Sequence, residues 1–194
     1  MKLLHLDASA LGSHSVSRGL TAAIVAELKA NNPAAEVIYH DLVANPLAHW
    51  TPVADASDPV AVQASQMIDE FLAADVVVIG APMYNFSIPS QLKAWIDRIA
   101  VAGKSFRYTA NGPEGLAGGK RVIIASSRGG IYSEGSAAQP MDFQETYLRA
   151  LFGFLGVTDI EFVRAEGVNF SEDHKVEALK SAHASIGVAT RKAA

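Results

Sequence analysis

Five short apolar runs alternate along the chain with segments whose apolar residues recur at helical spacing. Leu3, Leu4 and Leu6 form a near-continuous apolar run, which is typical of a strand buried on both faces of a sheet. Between Leu20 and Leu28 the apolar positions instead recur as on one face of a helix. The predicted strands are Lys2–Asp7, Glu36–Leu42, Asp75–Ala81, Arg121–Ser126 and Ile160–Ala165. The predicted helices are Val16–Asn31, Val60–Ala73, Ser90–Val101, Phe143–Leu155 and His174–Thr190.

This alternation predicts a single α/β domain over residues 1–194. Strands that alternate with helices form a parallel sheet with helices on both faces. The segment "DVVVIGAP" is almost wholly β-branched and is the clearest central strand. Five such units favour the doubly wound, flavodoxin-like strand order 2-1-3-4-5 over a six-stranded Rossmann sheet.

Three connections are longer than a compact fold requires. They are "VANPLAHWTPVADASDP" after the second strand, "GKSFRYTANGPEGLAGG" before the fourth and "SRGGIYSEGSAAQPMD" after it. Long loops beside a regular sheet usually form ligand or partner surfaces. Within the middle connection, Asn111-Gly112 is a turn signal that predicts a small hairpin.

The predicted strand order also indicates where a ligand should bind. In open parallel sheets, ligands bind outside the carboxyl ends of the strands, near the switch in strand order. Here that switch lies between the first and third strands. We therefore expect a site formed by the loops after strands one, three and four.

The loop after the first strand, "SALGSHSVS", offers hydroxyl groups beside a helix N-terminus. Free backbone N–H groups and a partial positive charge at that terminus suit a phosphate, which Ser9, Ser15 and Ser17 could surround. Plain N-capping is the alternative, but it needs only one serine. Arg18 either adds a positive charge or faces solvent. There is no GxGxxG after this strand, and "GLAGGKR" lacks the Ser or Thr of a P-loop.

The loops after strands three and four suit a flat heterocycle. In "PMYNFSIP", Asn85 can donate and accept hydrogen bonds at once. The alternative is a packed loop in which Ser87 or Ser90 caps the next helix. In "SSRGG", paired glycines allow the backbone to approach a ring closely. Arg128 could stabilise negative charge on that ring or form a surface ion pair.

Composition narrows the function classes. The chain is 49% hydrophobic with a formal net charge of −4, so general binding to nucleic acid or anionic membranes is disfavoured. It has no cysteine, which excludes disulfides, thiolate metal sites and a cysteine nucleophile, so redox chemistry would require a cofactor. The six histidines show no metal-ligand spacing, and His5 and His40 fall within strands, where structural roles are expected. Without a signal peptide or membrane-spanning run, a soluble cytoplasmic protein is expected.

Taken in order, these motifs resemble a known family. Five features carry the resemblance: the pattern S-x5-S-x-S, "MYNF", "SRGG", "FRYTANGPEGL" and the P-x-x-L-K-x-W-I-D-R segment at Pro89–Arg98. All five are similar to segments of the bacterial azoreductases, which are FMN-dependent NADH:quinone and azo-compound oxidoreductases. The resemblance spans essentially the whole chain. It implies that the FMN phosphate contacts Ser9, Ser15, Val16 and Ser17. It implies that the flavin ring contacts Met83, Tyr84, Asn85, Phe86, Ser127, Arg128, Gly129 and Gly130.

The resemblance also implies a reaction and an assembly. NADH or NADPH would reduce the flavin, and a quinone or azo compound would then be reduced in the same place, in a ping-pong cycle. The family works as a homodimer with FMN sites at the interface. Trp50, Phe106 and Tyr108, together with Phe86, are candidates for an interface or substrate wall, the alternative being local packing of long loops.

One position departs from the family pattern. Tyr132 stands where members often have a histidine, and it is a candidate for a catalytic role toward the acceptor. Two other functions are considered: a non-catalytic, flavodoxin-type electron carrier and a ligand-binding regulatory module. The chain is only mildly acidic, and its first loop lacks the Gly-rich pattern of carriers, so the enzyme is favoured.

Overall fold

A five-stranded parallel sheet runs through the centre of the molecule in the computed structural model, which describes residues 1–53 and 55–191. Its strands are β1 (Lys2–Asp7), β2 (Glu36–Asp41), β3 (Val76–Pro82), β6 (Arg121–Ser127) and β7 (Asp159–Ala165). A separate hairpin consists of β4 (Phe106–Thr109) and β5 (Gly112–Gly115). The helices are α1 (Val16–Asn31), α2 (Pro59–Ala73), α3 (Ser90–Ile99), α4 (Glu145–Phe154) and α5 (Glu172–Arg191). The sheet order β2-β1-β3-β6-β7 confirms the order predicted for five alternating units.

The central strands are buried on both faces, which explains their continuous apolar runs. Every residue of β3 and of β6 is buried. Val77 packs in one core with Trp95 of α3, whereas Val78 packs in the other with Ile24 of α1. Successive side chains of a strand point to opposite faces, so each central strand supplies both cores. None of the described helices is long and apolar enough to span a membrane.

Several helix boundaries differ from the predicted ones by one or two residues, and two of them have a clear local cause. The helix expected to continue to Val101 ends at Ile99, because Ala100 has ψ 76°, outside the helical range. The helix expected from Phe143 begins at Glu145, because an Asp142 carboxylate oxygen accepts hydrogen bonds from the N–H groups of Gln144 and Glu145. Such a side-chain bond favours a turn over a helical backbone.

The predicted hairpin is present, but it lies at the amino edge of the sheet. Phe106 packs against Phe154 at the end of α4, with ring centroids 4.7 Å apart. A Cβ atom on Gly115 would lie 2.1 Å from the backbone nitrogen of Gly156, so only glycine permits this approach. Because Gly156 precedes β7, the hairpin lies opposite the loops that follow β1, β3 and β6. Within one chain, Phe106 and the exposed Tyr108 therefore do not line the edge where a site was predicted.

An ion pair fixes the loop after β1 at the carboxyl edge. The Arg18 guanidinium donates to both carboxylate oxygens of Asp41, at 2.7 and 2.8 Å, and to the carbonyl oxygen of Ser9. Arg18 thus joins α1, β2 and the serine loop rather than facing solvent. These hydrogen bonds, with those from the N–H groups of Val43 and Ala44, hold the pKa of Asp41 well below its usual range.

We expect the contribution of Asp41 to stability to disappear in acid. At neutral pH, Asp41→Asn should lower the free energy of unfolding by about 1.5–3 kcal/mol, because charge-assisted hydrogen bonds are lost. Since the folded-state pKa lies below the unfolded value, the contribution is complete above about pH 4 and is lost as the pH falls toward the folded-state pKa. Urea unfolding of both proteins between pH 7 and pH 3 measures the difference. A gap between the two that stays constant over this range would contradict this assignment.

Candidate functional site

The loops after β1, β3 and β6 meet at the carboxyl edge of the sheet, as predicted. β1 pairs with β3, which pairs with β6, so the three loops leave neighbouring strands. The N–H of Met83 donates to the carbonyl oxygen of Ser127 at 2.8 Å. The Tyr84 hydroxyl lies 3.3 Å from the Ser9 hydroxyl and accepts a hydrogen bond from the N–H of Ala10. The serine loop, the loop after β3 and the loop after β6 therefore form one continuous surface.

In the serine loop, each serine has a distinct position. Ser15 is the N-cap of α1, and its hydroxyl accepts a hydrogen bond from the N–H of Arg18 at 3.2 Å. The capping role is thus confirmed for Ser15. Ser17 is fully buried, with its hydroxyl 3.2 Å from that of Ser15. The Ser9 hydroxyl accepts a hydrogen bond from the N–H of Leu11.

The N-terminus of α1 fits a phosphate group. The N–H groups of Val16 and Ser17 lie in the first turn, where an α-helix provides no carbonyl acceptor. They are accompanied by two hydroxyl groups and by the positive end of the helix dipole. N–H and hydroxyl donors at a helix N-terminus are a common phosphate-binding arrangement. Capping by Ser15 and phosphate binding are compatible, because a hydroxyl can accept one hydrogen bond and donate another.

The loop after β3 contains a strained turn. Tyr84 and Ser87 exchange backbone hydrogen bonds of 2.9 and 3.1 Å around Asn85 and Phe86. Asn85 has φ 48° and Phe86 has φ 71°, as in a type I′ turn. Positive φ is rare for a bulky residue such as Phe and costs about 1–2 kcal/mol. Both side chains are exposed, and an outlier of this kind motivates a functional hypothesis.

The serine cap of α3 that was considered as an alternative for this segment is wrong. The residue before α3 is Pro89, which provides no side-chain cap. The Ser90 hydroxyl donates to the side chain of Gln91, and the Ser87 hydroxyl faces the carbonyl oxygen of Phe143. Among residues 1–53 and 55–191, none forms a hydrogen bond with the side chain of the exposed Asn85, which leaves its amide group available to a ligand.

The loop after β6 is supported from behind by the segment after β7. The N–H groups of residues 167–169 donate to the carbonyl oxygens of Gly130, Arg128 and Gly129. A Cβ atom on Gly129 would lie 2.5 Å from the side-chain nitrogen of Asn169, so a larger residue here would require that side chain to shift. Tyr132 packs beside Gly130 and lies edge-to-face against Phe86, with ring centroids 6.3 Å apart. Phe86 and Tyr132 thus form an aromatic pair where the two loops meet.

Arg128 lies in the interior, so the surface ion pair considered from the sequence is wrong. Its side chain is 0% exposed and pairs with the carboxylates of Asp142, Glu145 and Glu166. Its Nε donates to the side chain of Gln144. With no exposed atom, the guanidinium cannot reach a ligand in this arrangement. Only the backbone of Arg128 is available for the predicted ring contact.

Several residues of this carboxyl edge were not predicted. A Glu166 carboxylate oxygen accepts hydrogen bonds from Arg128 and, at 2.8 Å, from the N–H of Tyr132. The Gln144 side chain donates to the carbonyl oxygen of Ala81, which links α4 to β3. The sequence offers one signal for these residues, the segment after the long loop that is rich in acidic and amide side chains. Its partners could not be identified from the sequence, because they lie far away in the chain.

The remaining predicted residues lie elsewhere. Trp50 is 59% exposed and lines a cavity between α2 and α3, away from the three loops. Its predicted place in a substrate wall is therefore not supported within one chain. His5 lies 3.6 Å from Asp7, and His40 lies 2.6 Å from Glu70. Both histidines face carboxylates from within strands, in agreement with the structural roles expected for them.

Comparisons with known proteins agree with this arrangement. A family model described as a flavodoxin-like fold matches residues 1–188. An FMN-dependent NADH:quinone oxidoreductase of Sinorhizobium fredii (strain NBRC 101917 / NGR234) is 60% identical, covering 96% of this chain and 95% of the relative.

Solved structures give the same result. An azoreductase from Bacillus anthracis str. Sterne superimposes with a TM-score of 0.90 at 29% identity, covering 99% of both chains. An FMN-dependent NADH-azoreductase from Bacillus anthracis str. Ames Ancestor, solved in complex with FMN, gives a TM-score of 0.89 at 26% identity and covers 100% of this chain and 99% of the other. The chain therefore belongs to the flavodoxin-like family that includes these FMN-dependent NADH:quinone oxidoreductases.

Proposed function

We propose that the protein is an FMN-dependent oxidoreductase that uses NADH to reduce quinones and aromatic azo compounds. The observation that supports this most directly is the contact between two features at the carboxyl edge. The serine-bearing N-terminus of α1 and the strained turn after β3 are joined by the Ser9–Tyr84 pair. A phosphate site beside a site for a flat ring matches the two ends of FMN. The names of the relatives support the same cofactor and co-substrate.

Each end of the cofactor has suitable partners. We assign the phosphate to the N–H groups of Val16 and Ser17 and to the hydroxyls of Ser15 and Ser17. We assign the ring to the turn at Met83, Tyr84, Asn85 and Phe86 and to the backbone of Ser127, Arg128, Gly129 and Gly130. When bound, FMN would supply the hydride chemistry that no side chain of this protein provides.

We place the entry of NADH and of the acceptor beside the aromatic pair Phe86–Tyr132, which lies where the loops after β3 and β6 meet. We infer that both substrates use this one place in turn, which makes the kinetics ping-pong. A site that recognises its substrates mainly by stacking accepts many flat molecules. The same reasoning does not distinguish NADH from NADPH, so NADPH is tested as a second hydride donor.

A second copy of the chain would complete the site. Phe106 and Tyr108 lie at the amino edge, so they can form a substrate wall only for a neighbouring protomer. We therefore propose a homodimer in which aromatic residues of one protomer face the FMN of its partner. Tyr108 is 76% exposed, which suits a residue that is covered on assembly.

The proposed function is tested by steady-state assays of the purified FMN-bound protein. NADH and NADPH are each supplied with a panel of quinones and azo dyes, and initial rates are measured at several concentrations of both substrates. Parallel lines in double-reciprocal plots are expected for a ping-pong cycle. Bound FMN without nucleotide oxidation would instead support the electron carrier, and failure to bind FMN would overturn the proposal.

The double substitution Ser15→Ala with Ser17→Ala should weaken FMN binding far more than riboflavin binding. Each lost hydrogen bond to a charged phosphate costs about 1.5–3 kcal/mol, so FMN affinity should fall at least about a hundredfold. Riboflavin lacks the phosphate and should be nearly unaffected. Flavin fluorescence titrations measure both affinities. Ser13→Ala is a matched control, because Ser13 is exposed on the same loop; equal weakening of both ligands would contradict the assignment.

The substitution Tyr132→Phe should leave reduction of the flavin by NADH nearly unchanged. Any effect should fall on the acceptor step, because a phenolic hydroxyl can stabilise negative charge that develops on a quinone or azo group. The ring contact with Phe86 is retained in this variant. Stopped-flow absorbance separates the two half-reactions. A large slowing of flavin reduction with an unchanged acceptor step would refute the role, and no change in either would indicate that Tyr132 only packs its own loop.

A further inference from the structure

Arg98 is buried without a carboxylate partner. The structure buries three arginines to 4% exposure or less: Arg98, Arg121 and Arg128. Arg121 pairs with Asp159 and Glu161, and Arg128 pairs with three carboxylates. Arg98 has no ion pair with any residue in the described ranges. Its Nη1 donates to the carbonyl oxygen of Ala94, and its buried Nε has no partner there.

An unpaired buried cation is costly. Removing a guanidinium from water without a counter-charge is unfavourable, and buried charges are normally paired or hydrogen-bonded. Burial lowers the pKa of Arg98, but an arginine remains charged at neutral pH. The neighbouring Asp97 offsets part of this effect through space, but its carboxylate binds Lys93 and forms no ion pair with Arg98. Arg98 therefore lacks the anion that its two buried counterparts have.

Arg98 lines a cavity whose other walls are mostly apolar. The cavity has a volume of about 400 Å³ and lies between α2 and α3 under residues 50–53. Its apolar lining includes Trp50, Val60, Ile68 and Val101. A volume in the range of small-molecule sites, mostly apolar walls and a few polar groups are the usual features of a ligand pocket.

Two cations, Arg98 and Lys104, and one acid, Asp97, line this cavity. Lys104 also lines the cavity, and its contact with the exposed Asp69 is long, at 3.4 Å. Asp97 is the single acid among the lining residues, and it is engaged by Lys93. The cavity therefore favours an anion over a cation or a neutral molecule. None of its lining residues belongs to the three loops of the candidate functional site.

We propose that this cavity binds an amphipathic monocarboxylate. Its carboxylate group pairs with Arg98, and its apolar body lies against Trp50 and the apolar face of α2. Carboxylate and guanidinium groups match in charge and geometry, and their hydrogen bonds are about twice as strong as neutral ones. The bound anion supplies the counter-charge that the chain itself does not provide. The site is separate from the FMN site and does not depend on the proposed redox activity.

The test compares octanoate with 1-octanol, which has the same chain length but no charge. Calorimetric titration of the FMN-saturated protein should show octanoate binding at least about tenfold more tightly than octanol, since a charge-assisted hydrogen bond contributes at least about that factor. The substitution Arg98→Met should abolish this preference while octanol binding is retained. Arg149→Met is the matched control, because Arg149 is an exposed arginine that does not line this cavity.

Two further measurements locate the binding. Octanoate should change the fluorescence of Trp50, which lines the cavity, and leave the visible absorbance of bound FMN unchanged. Ala64→Phe fills the cavity without removing Arg98 and should exclude both ligands, so the proposal stays testable even if Arg98→Met does not fold. Equal affinity for octanoate and octanol in the wild-type protein would overturn the proposal. So would a preference for octanoate that persists in Arg98→Met or in Ala64→Phe.

Discussion

The pairing of Arg128 with three carboxylates determines the shape of the carboxyl edge. Asp142 and Glu145 lie at the start of α4 and Glu166 follows β7, so one guanidinium joins the loop after β6 to two other segments. Arg164 adds a second cation through its contacts with Glu145. Breaking a buried pair by removing one partner typically costs about 3–5 kcal/mol, because the remaining charge is left uncompensated. The loop after β6 therefore has one well-defined conformation, in which its glycine backbone faces the place assigned to the flavin ring.

The same edge holds the turn after β3 in a conformation that its sequence alone would disfavour. Phe86 has a positive φ, yet its carbonyl oxygen accepts a hydrogen bond from the N–H of Phe143, and the turn is closed by the Tyr84–Ser87 pair. Strain of this kind persists when surrounding contacts over-determine it. Because contacts within the protein hold the turn, less conformational freedom would be lost on binding. The buried ion cluster and the strained turn therefore both hold the loops of the carboxyl edge in place.

The sheet order and the three site loops could be predicted from sequence, because strands buried on both faces leave a continuous apolar signal. The serine loop could be predicted as well, because several hydroxyl residues before a helical pattern are more than one N-cap needs. The partners of Arg128 were not predictable, because Asp142 and Glu166 lie far along the chain and only the fold brings them together. The place of Phe106 in the fold could not be predicted for a related reason: the hairpin signal gives its turn but not the edge of the sheet on which it packs.

The Tyr84 hydroxyl links the two halves of the carboxyl edge, since it contacts Ser9 and the N–H of Ala10 while its backbone closes the strained turn. Groups in one hydrogen-bonded network do not contribute additively to a free energy. Because Tyr84 takes part in both halves, a change at its hydroxyl would reach the serine loop and the turn after β3 together. The effects of substitutions at Ser9 and in that turn would therefore be coupled rather than additive.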